Sequence, residues 1–227
     1  MKPFRSYDPQ ELSEGVYDPN IFKAVFLAGG PGSGKSYVTS KVIGGLGLRI
    51  INSDRFFTRL LKKHGLSDKM PDHEEHERTQ QLIRAKELTA AQTKNLVKGR
   101  LGMIIDGTGG NFKVINDQVK ELKHSGYDCY MIFVNTALDV AHERNKQRSR
   151  QVPEKIVTSS WNSVQKNMGK FQYLFGRDKF ILIDNNNAKE NLFAKVHKQI
   201  RKLVTKPIEN WIAKNWIDKE LKGKDRS

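Results

Sequence analysis

Residues 29–36 read Gly29-Gly30-Pro31-Gly32-Ser33-Gly34-Lys35-Ser36, a complete G-x-x-x-x-G-K-S pattern. The chemistry of that spacing is phosphate binding. Glycines let the backbone curl with its N–H groups pointing inward, where a Cβ would obstruct. A helix opening directly after the loop adds its own free N–H groups and the positive end of its dipole. Lys35 then reaches the β- and γ-phosphates, and the Ser36 hydroxyl suits Mg²⁺. The flanks agree: the apolar run Ala24–Ala28 precedes the loop and a helix-competent stretch, Ser36 to Ile43, follows it. Gly29, Gly30, Pro31, Gly32, Ser33, Gly34, Lys35, Ser36 and Tyr37 are the expected contacts of a nucleotide, with ATP and Mg²⁺ as the expected pair.

Two carboxylates and a group of arginines complete a phosphoryl-transfer set. Asp54 follows Asn52-Ser53 at the end of an apolar run. A carboxylate there faces the γ-phosphate, orients an attacking hydroxyl and accepts its proton. The same residue before Arg55-Phe56-Phe57 also reads as a helix N-cap, and both roles are compatible. Asp106, in Asp106-Gly107-Thr108-Gly109-Gly110-Asn111, is placed to hold Mg²⁺ through water or to bind the acceptor. Asp-Gly-Thr also belongs to the phosphatase pattern D-x-D-G-T, but Ile104 stands where that pattern needs its first aspartate, which excludes it. Residues 144–153, Arg-Asn-Lys-Gln-Arg-Ser-Arg-Gln-Val-Pro, form an arginine-dense turn between two helices. Guanidinium forks match the oxygens of a transferring phosphoryl group, and a mobile segment closing over ATP excludes water. Arg144 and Arg148 stand at i, i+4 and share a helix face. Thr108 and Arg150, from the same two segments, are the expected acceptor contacts. Asp184-Asn185-Asn186-Asn187 forms a polar loop expected to border the adenine. His73-Glu74-Glu75-His76-Glu77 misses the H-E-x-x-H zinc pattern by one residue and reads as a solvated helix face.

These groups need a scaffold that brings loops to one edge. Short, near-continuous apolar runs at 22–28, 48–52, 102–106, 127–134 and 180–184 read as parallel strands covered on both faces. Helical stretches near 36–44, 55–64, 73–98, 112–124, 137–149, 154–169 and 188–204 lie between or after them. The alternation predicts an α/β fold: a doubly wound parallel five-stranded sheet of the P-loop NTPase (kinase) type, with a C-terminal helical extension. Ligands of such sheets bind beyond the carboxyl ends of the strands, where the glycine loop, Asp54 and Asp106 all fall. Residues 1–20 read as an arm, 21–205 as the kinase domain with its lid near 144–153, and 206–227 as a basic amphipathic helix. In that helix Trp211, Ile212, Trp216 and Ile217 share a face, to dock on the domain or to meet nucleic acid. The stretch 73–98 is expected to shape the acceptor side of the cleft.

Forty basic against 25 acidic residues give a formal charge of +15 over 227 residues. That excess favours a polyanionic partner, nucleic acid first, over a charge spread only for solubility. A mean hydropathy of −0.63 fits a large polar surface. No stretch has the length of a membrane span, and Met1-Lys2-Pro3-Phe4-Arg5 lacks a signal-peptide core, so a cytoplasmic protein is expected. The single cysteine, Cys129, sits in an apolar run and reads as a small core residue.

Together these motifs resemble the kinase domain of bacteriophage polynucleotide kinase and, more broadly, its zeta-toxin relatives, over about residues 22–185. The resemblance rests on Pro31 to Ser36, on Asn52-Ser53-Asp54, and on Arg144-Asn145 with Arg148 and then Val152-Pro153. It implies an ATP-dependent kinase with an alcohol acceptor, with Asp54 as general base and Arg144 and Arg148 over the transferring group. An arginine that the polynucleotide kinases carry three residues after the base is Phe57 here, which leaves Arg55 or Arg59 to hold an acceptor phosphate. Asp106-Gly107-Thr108 is closer to the zeta toxins than to the Asp-Thr-Asn of the phage enzyme. The favoured acceptor on charge is nucleic acid, at a polynucleotide 5′-hydroxyl or at the hydroxymethyl group of a modified base in phage DNA, which would place the protein in a host cytoplasm. The alternatives are a zeta-toxin-like kinase of UDP-N-acetylglucosamine or another small molecule, a small nucleotide kinase, and a nucleotide-switched nucleic-acid-binding module.

Overall fold

In the chain's first strand, every residue of Lys-Ala-Val-Phe-Leu-Ala is buried, which only a central strand with both faces covered can arrange. The computed structural model describes residues 16–18, 20–42, 46–67, 71–147, 151–187 and 190–224. The elements in order are β1 (Lys23–Ala28), α1 (Lys35–Val42), β2 (Arg49–Ile51), α2 (Ser53–Lys63), α3 (Glu75–Lys98), β3 (Met103–Asp106), α4 (Phe112–His124), β4 (Asp128–Asn135), α5 (Leu138–Lys146), α6 (Glu154–Phe175), β5 (Phe180–Asp184), α7 (Glu190–Val204) and α8 (Trp211–Lys224). The five strands form one parallel sheet in the order β2-β3-β1-β4-β5. The expected fold class is therefore the observed one.

Alternation along β1 sorts the core onto two faces. Ala24, Phe26 and Ala28 join Met131 and Phe133 of β4 beneath α4 and α6, through Ile115, Val119, Val164 and Phe171. Val25 and Leu27 join Ile132 and Val134 beneath α1 and α7, through Val38, Val196, Ile200 and Val204. Each of the larger of these side chains, from valine to phenylalanine, contributes about 1.5–3 kcal/mol by leaving water. A smaller cluster, Phe57, Leu61 and Ala85, fastens α2 to α3.

The register decides what stands beside the glycine loop. Leu27 pairs with Asp106, and Ala28 pairs with Phe133. Ile51 pairs with Ile105 across β2 and β3. From the neighbouring strands β1 and β4 the chain leaves in opposite directions, to β2 and to β5, so the crossovers part between β1 and β4. That opening is where a doubly wound sheet takes a ligand.

The elements differ from the sequence expectation mainly at their ends. α2 begins at Ser53 rather than 55, because Asn52 supplies its cap. α6 runs past Gly169 to Phe175, since Phe171 and Phe175 pack on the sheet and outweigh the helix cost of one glycine. α5 stops at Lys146, short of the expected 149, and Arg148, Ser149 and Arg150 lie outside the described residues. Most of the expected arm, residues 1–15, lies outside them as well.

The C-terminal helix docks at the opposite end of the sheet from the glycine loop. Asp128, at the start of β4, accepts from buried Lys23 Nζ at 3.0 Å and from the backbone N–H groups of Glu209 at 2.9 Å and Asn210 at 3.1 Å. Lys23 also donates to the Tyr130 hydroxyl at 3.1 Å. Burial pulls the Lys23 amine below the usual lysine range, against the pull of Asp128. Asn210 then caps α8 by accepting from the Ile212 N–H at 3.0 Å. Ala213, Trp216 and Ile217 face the core, and the Arg100 guanidinium stacks on Trp216 at 4.3 Å. Trp211 does not share that face. It lies two residues, hence roughly 200° of helix, before Ala213, and it is 69% exposed.

Candidate active site

The glycine loop is built into the sheet from behind. A Cβ at Gly32, whose φ is +79°, would strike the Ala141 carbonyl. One at Gly34, with φ +87°, would strike the Asn185 amide. The contacts that forbid side chains also brace the loop. The Ser33 carbonyl accepts from Asn185 Nδ2 at 2.7 Å and from Thr136 Oγ1 at 3.2 Å, and Trp161 Nε1 donates to the Thr136 carbonyl at 2.7 Å. Asn185, expected at the adenine, is therefore a buried brace of the loop. Lys35 bends back to donate to the Gly29 carbonyl and, at 3.4 Å, to that of Gly30.

Asn52 ties the two carboxylate segments together. Its Oδ1 accepts from the backbone N–H groups of Asp54 at 2.7 Å and Arg55 at 3.4 Å, which makes it the N-cap of α2. Asp54 is thus not the cap but a first-turn residue, and its carboxylate is released from that duty. The other end of the same amide, Nδ2, donates to Asp106 Oδ2 at 2.6 Å. Burial raises the Asp106 carboxyl above the usual range; Lys35 and the Asn52 hydrogen bond oppose that, and Asp54 adds to it. A cavity of 680 Å³ opens between these groups, lined by Gly30, Pro31 and residues 33–36 of the loop and by Asp54, Asp106, Thr108 and Val152.

Arg144 and Val152, on either flank of the arginine-dense segment, stand at one side. Arg144 Nη2 donates to the Asn186 carbonyl at 3.2 Å, while its Nη1 is buried without a hydrogen-bond partner close to Gly34. Next to it, buried Asn145 reaches across the turn. Its Nδ2 donates to the Val152 carbonyl at 2.7 Å, and its Oδ1 accepts from the Val152 N–H at 3.1 Å. This double clasp sets Val152 at the cavity rim. Asn145 stood in the sequence only as part of the lid motif, without this role, and Asn167, which donates to the carbonyls of Gly109 at 3.0 Å and Gly110 at 2.9 Å, escapes sequence reading. Their partners are backbone atoms that no residue pattern announces. Asn52 carried a signal, an asparagine between an apolar run and a helix. Of the remaining expected contacts, Tyr37 and Arg55 are exposed and do not line the cavity.

A second cavity of 710 Å³ meets the first at Ser53, Asp106, Gly107 and Thr108. It lies between α3 and α4 over a floor that includes Phe26, Ile51 and Ile105.

A parallel 2-3-1-4-5 sheet with a braced G-x-x-x-x-G-K-S loop, and two aspartates facing it, defines a P-loop phosphotransferase. The zeta toxin family profile matches residues 17–197, and the chain belongs to that family. No curated protein sequence matches it. Among solved structures it is similar to the AvrRxo1-ORF1:AvrRxo1-ORF2 complex, with a TM-score of 0.56 and 16% identity over 83% of this chain and 69% of that one. A gluconokinase from Sinorhizobium meliloti 1021 gives 0.50 and 14% over 81% and 94%. The Pnkp1/Rnl/Hen1 RNA repair complex gives 0.50 and 24% over 66% and 46%. What is shared at these identities is the fold. No helix among the described residues is long and apolar enough to cross a membrane.

Proposed function

We propose that the protein is an ATP-dependent kinase that transfers the γ-phosphoryl group to the hydroxyl of a small-molecule alcohol. The observation that carries this reading is that Lys35, Ser36, Asp54 and Asp106 line one 680 Å³ cavity, at the carboxyl ends of β1, β2 and β3. The loop N–H groups and the α1 N-terminus cradle the phosphates, and Lys35 exchanges its bonds to Gly29 and Gly30 for phosphate oxygens. Asp54 accepts the proton of the acceptor hydroxyl as its oxygen attacks the γ-phosphorus, and the bond to the ADP oxygen breaks. Arg144, with one buried nitrogen unpartnered, turns its guanidinium to the charge that develops. Arg148 and Arg150, outside the described residues, belong to the same turn and are assigned to the transferring group and the acceptor. Ser36 and Asp106 offer the hard oxygen donors that suit Mg²⁺, which would neutralise phosphate charge there. In one structure of the AvrRxo1-ORF1:-ORF2 pair the bound nucleotide is ATP.

A small acceptor is favoured by the second cavity, which adjoins the first and has the size of a ligand pocket. The +15 charge supports a second reading, a nucleic-acid acceptor. Incubation with γ-labelled ATP and a panel of acceptors separates them: 5′-hydroxyl DNA and RNA, hydroxymethylated duplex, nucleoside monophosphates, UDP-N-acetylglucosamine and simple alcohols. Label on a small molecule alone supports the first reading, and label on polynucleotide alone replaces it with the second. ATP turnover with no labelled acceptor overturns both in favour of a nucleotide switch.

A further inference from the structure

The 710 Å³ cavity is longer than phosphoryl transfer requires. α3 and α4 both descend from the reactive edge of the sheet toward its other end, and each turns one face to the space between them. From α3 the face is Lys86, Thr89, Ala90, Thr93, Lys94 and Val97; from α4 it is Val114, Ile115, Gln118, Glu121, Leu122 and Ser125. These steps of three and four are one side of a helix. At 1.5 Å per residue, the lined length is roughly 16 Å along each of them. The upper end opens at Ser53, Asp106, Gly107 and Thr108, the residues shared with the phosphate cavity. The lower end closes on Val97, Leu122 and Ser125. Its floor is core: Phe26 and Ile51 are buried sheet residues, and Ile105 packs against them. Val114 stands at the wall 51% exposed, an apolar side chain left uncovered.

Gly107 adds a separate sign. Its φ is not positive, and a Cβ there would meet nothing within 4 Å. Neither backbone nor packing requires glycine at that place, which is the junction of the two cavities. The open space is where a reacting group has to pass.

We infer that the trough between α3 and α4 holds the body of the acceptor, and that the acceptor is an amphiphilic alcohol. Its hydroxyl sits at the Ser53–Thr108 junction before Asp54, and an apolar aliphatic or aromatic body extends down the trough. This inference rests on the kinase reading above. The transfer itself is the one already written: the hydroxyl proton passes to Asp54, the new O–P bond forms and ADP leaves. The trough contributes binding, and through it selection among alcohols. A sugar or a short polyol fills only the upper end and leaves the apolar floor wet. A body that covers Phe26, Ile51, Ile105 and Leu122 gains with every methylene it buries.

The probes are the straight-chain primary alcohols from 1-butanol to 1-octanol. Binding is read by displacement of anilinonaphthalene sulfonate, and transfer by label from γ-labelled ATP. ATP affinity is measured separately by calorimetry. Affinity should rise about fourfold per added methylene. Thr93→Trp fills the middle of the trough and should flatten that series while leaving ATP affinity within twofold. Val114→Lys, at an exposed position and so tolerant of charge, should weaken the longer alcohols more than the shorter ones. Affinity independent of chain length, an undisplaced dye, or a Thr93→Trp protein with an unchanged series overturns the trough assignment and leaves the kinase reading intact. Absence of ATP binding in the wild-type protein overturns the kinase reading instead.

Discussion

Replacing Asn52 by alanine should damage the site in two separable ways, because one side chain holds two partners. Its carbonyl oxygen caps α2 through the Asp54 and Arg55 N–H groups at 2.7 and 3.4 Å, and its amide nitrogen donates to Asp106 at 2.6 Å. Loss of an asparagine cap costs about 1 kcal/mol. Loss of a hydrogen bond to a carboxylate costs about 1.5–3 kcal/mol, and the half-buried setting argues for the lower part of that range. The sum is about 2.5 kcal/mol, or roughly 5–10 °C in Tm for a chain of this size. Asn52→Ser separates the two terms. A serine still caps but does not reach Asp106, so it should recover about 1 kcal/mol of the loss. Activity should not recover with it: Asp54 keeps its helix, while Asp106 loses the amide that fixes it beside Lys35. The assay pairs thermal denaturation with acceptor phosphorylation at saturating ATP. Asn52→Ser with full activity, or with a Tm no higher than that of Asn52→Ala, would refute the double role.

Asp54→Asn should abolish transfer, leaving ATP affinity nearly unchanged by calorimetry, whereas Lys35→Ala should weaken both; loss of ATP binding in Asp54→Asn would reduce Asp54 to a structural residue. Asp128→Ala leaves the Lys23 amine, 2% exposed, without its carboxylate partner, and removes the acceptor for the Glu209 and Asn210 N–H groups. Breaking a buried pair costs about 3–5 kcal/mol, so chemical denaturation should show a large loss, with ATP affinity retained in the protein that remains folded. Burial raises the Cys129 thiol from an ordinary 9.0 to about 12. Between those values the folded chain holds a proton that the unfolded chain has released, so stability falls as pH rises, by up to about 1.4 kcal/mol per pH unit. Denaturation between pH 8 and pH 11 should show that loss, and Cys129→Ala should reduce the slope.

Sequence alone carried the local and the periodic. G-x-x-x-x-G-K-S is contiguous, so its chemistry is legible without a fold, and the β-α alternation around it announces a doubly wound sheet. The placement of Asp54 and Asp106 at the carboxyl edge of the sheet followed from the same alternation, because Asp106 directly ends an apolar run and Asp54 follows one after Asn52-Ser53. Tertiary structure decided whatever depends on partners distant in the chain. Asn185 meets Ser33 across 152 positions, Asn167 meets Gly109 across 58, and Asn52 meets Asp106 across 54. An asparagine in a loop looks the same whether it borders a base or braces a backbone, since only the fold supplies the carbonyl it reaches. The trough is of the same kind. The face of α3 is mostly polar and that of α4 half apolar, and neither reads as a pocket until the sheet sets them side by side. The face of α8 was mistaken at Trp211 for a related reason: an apolar residue at a helix start joins the docked side only if the angle at which the helix meets the domain allows it. Here that angle is set by Asp128, through its bonds to Lys23, Glu209 and Asn210.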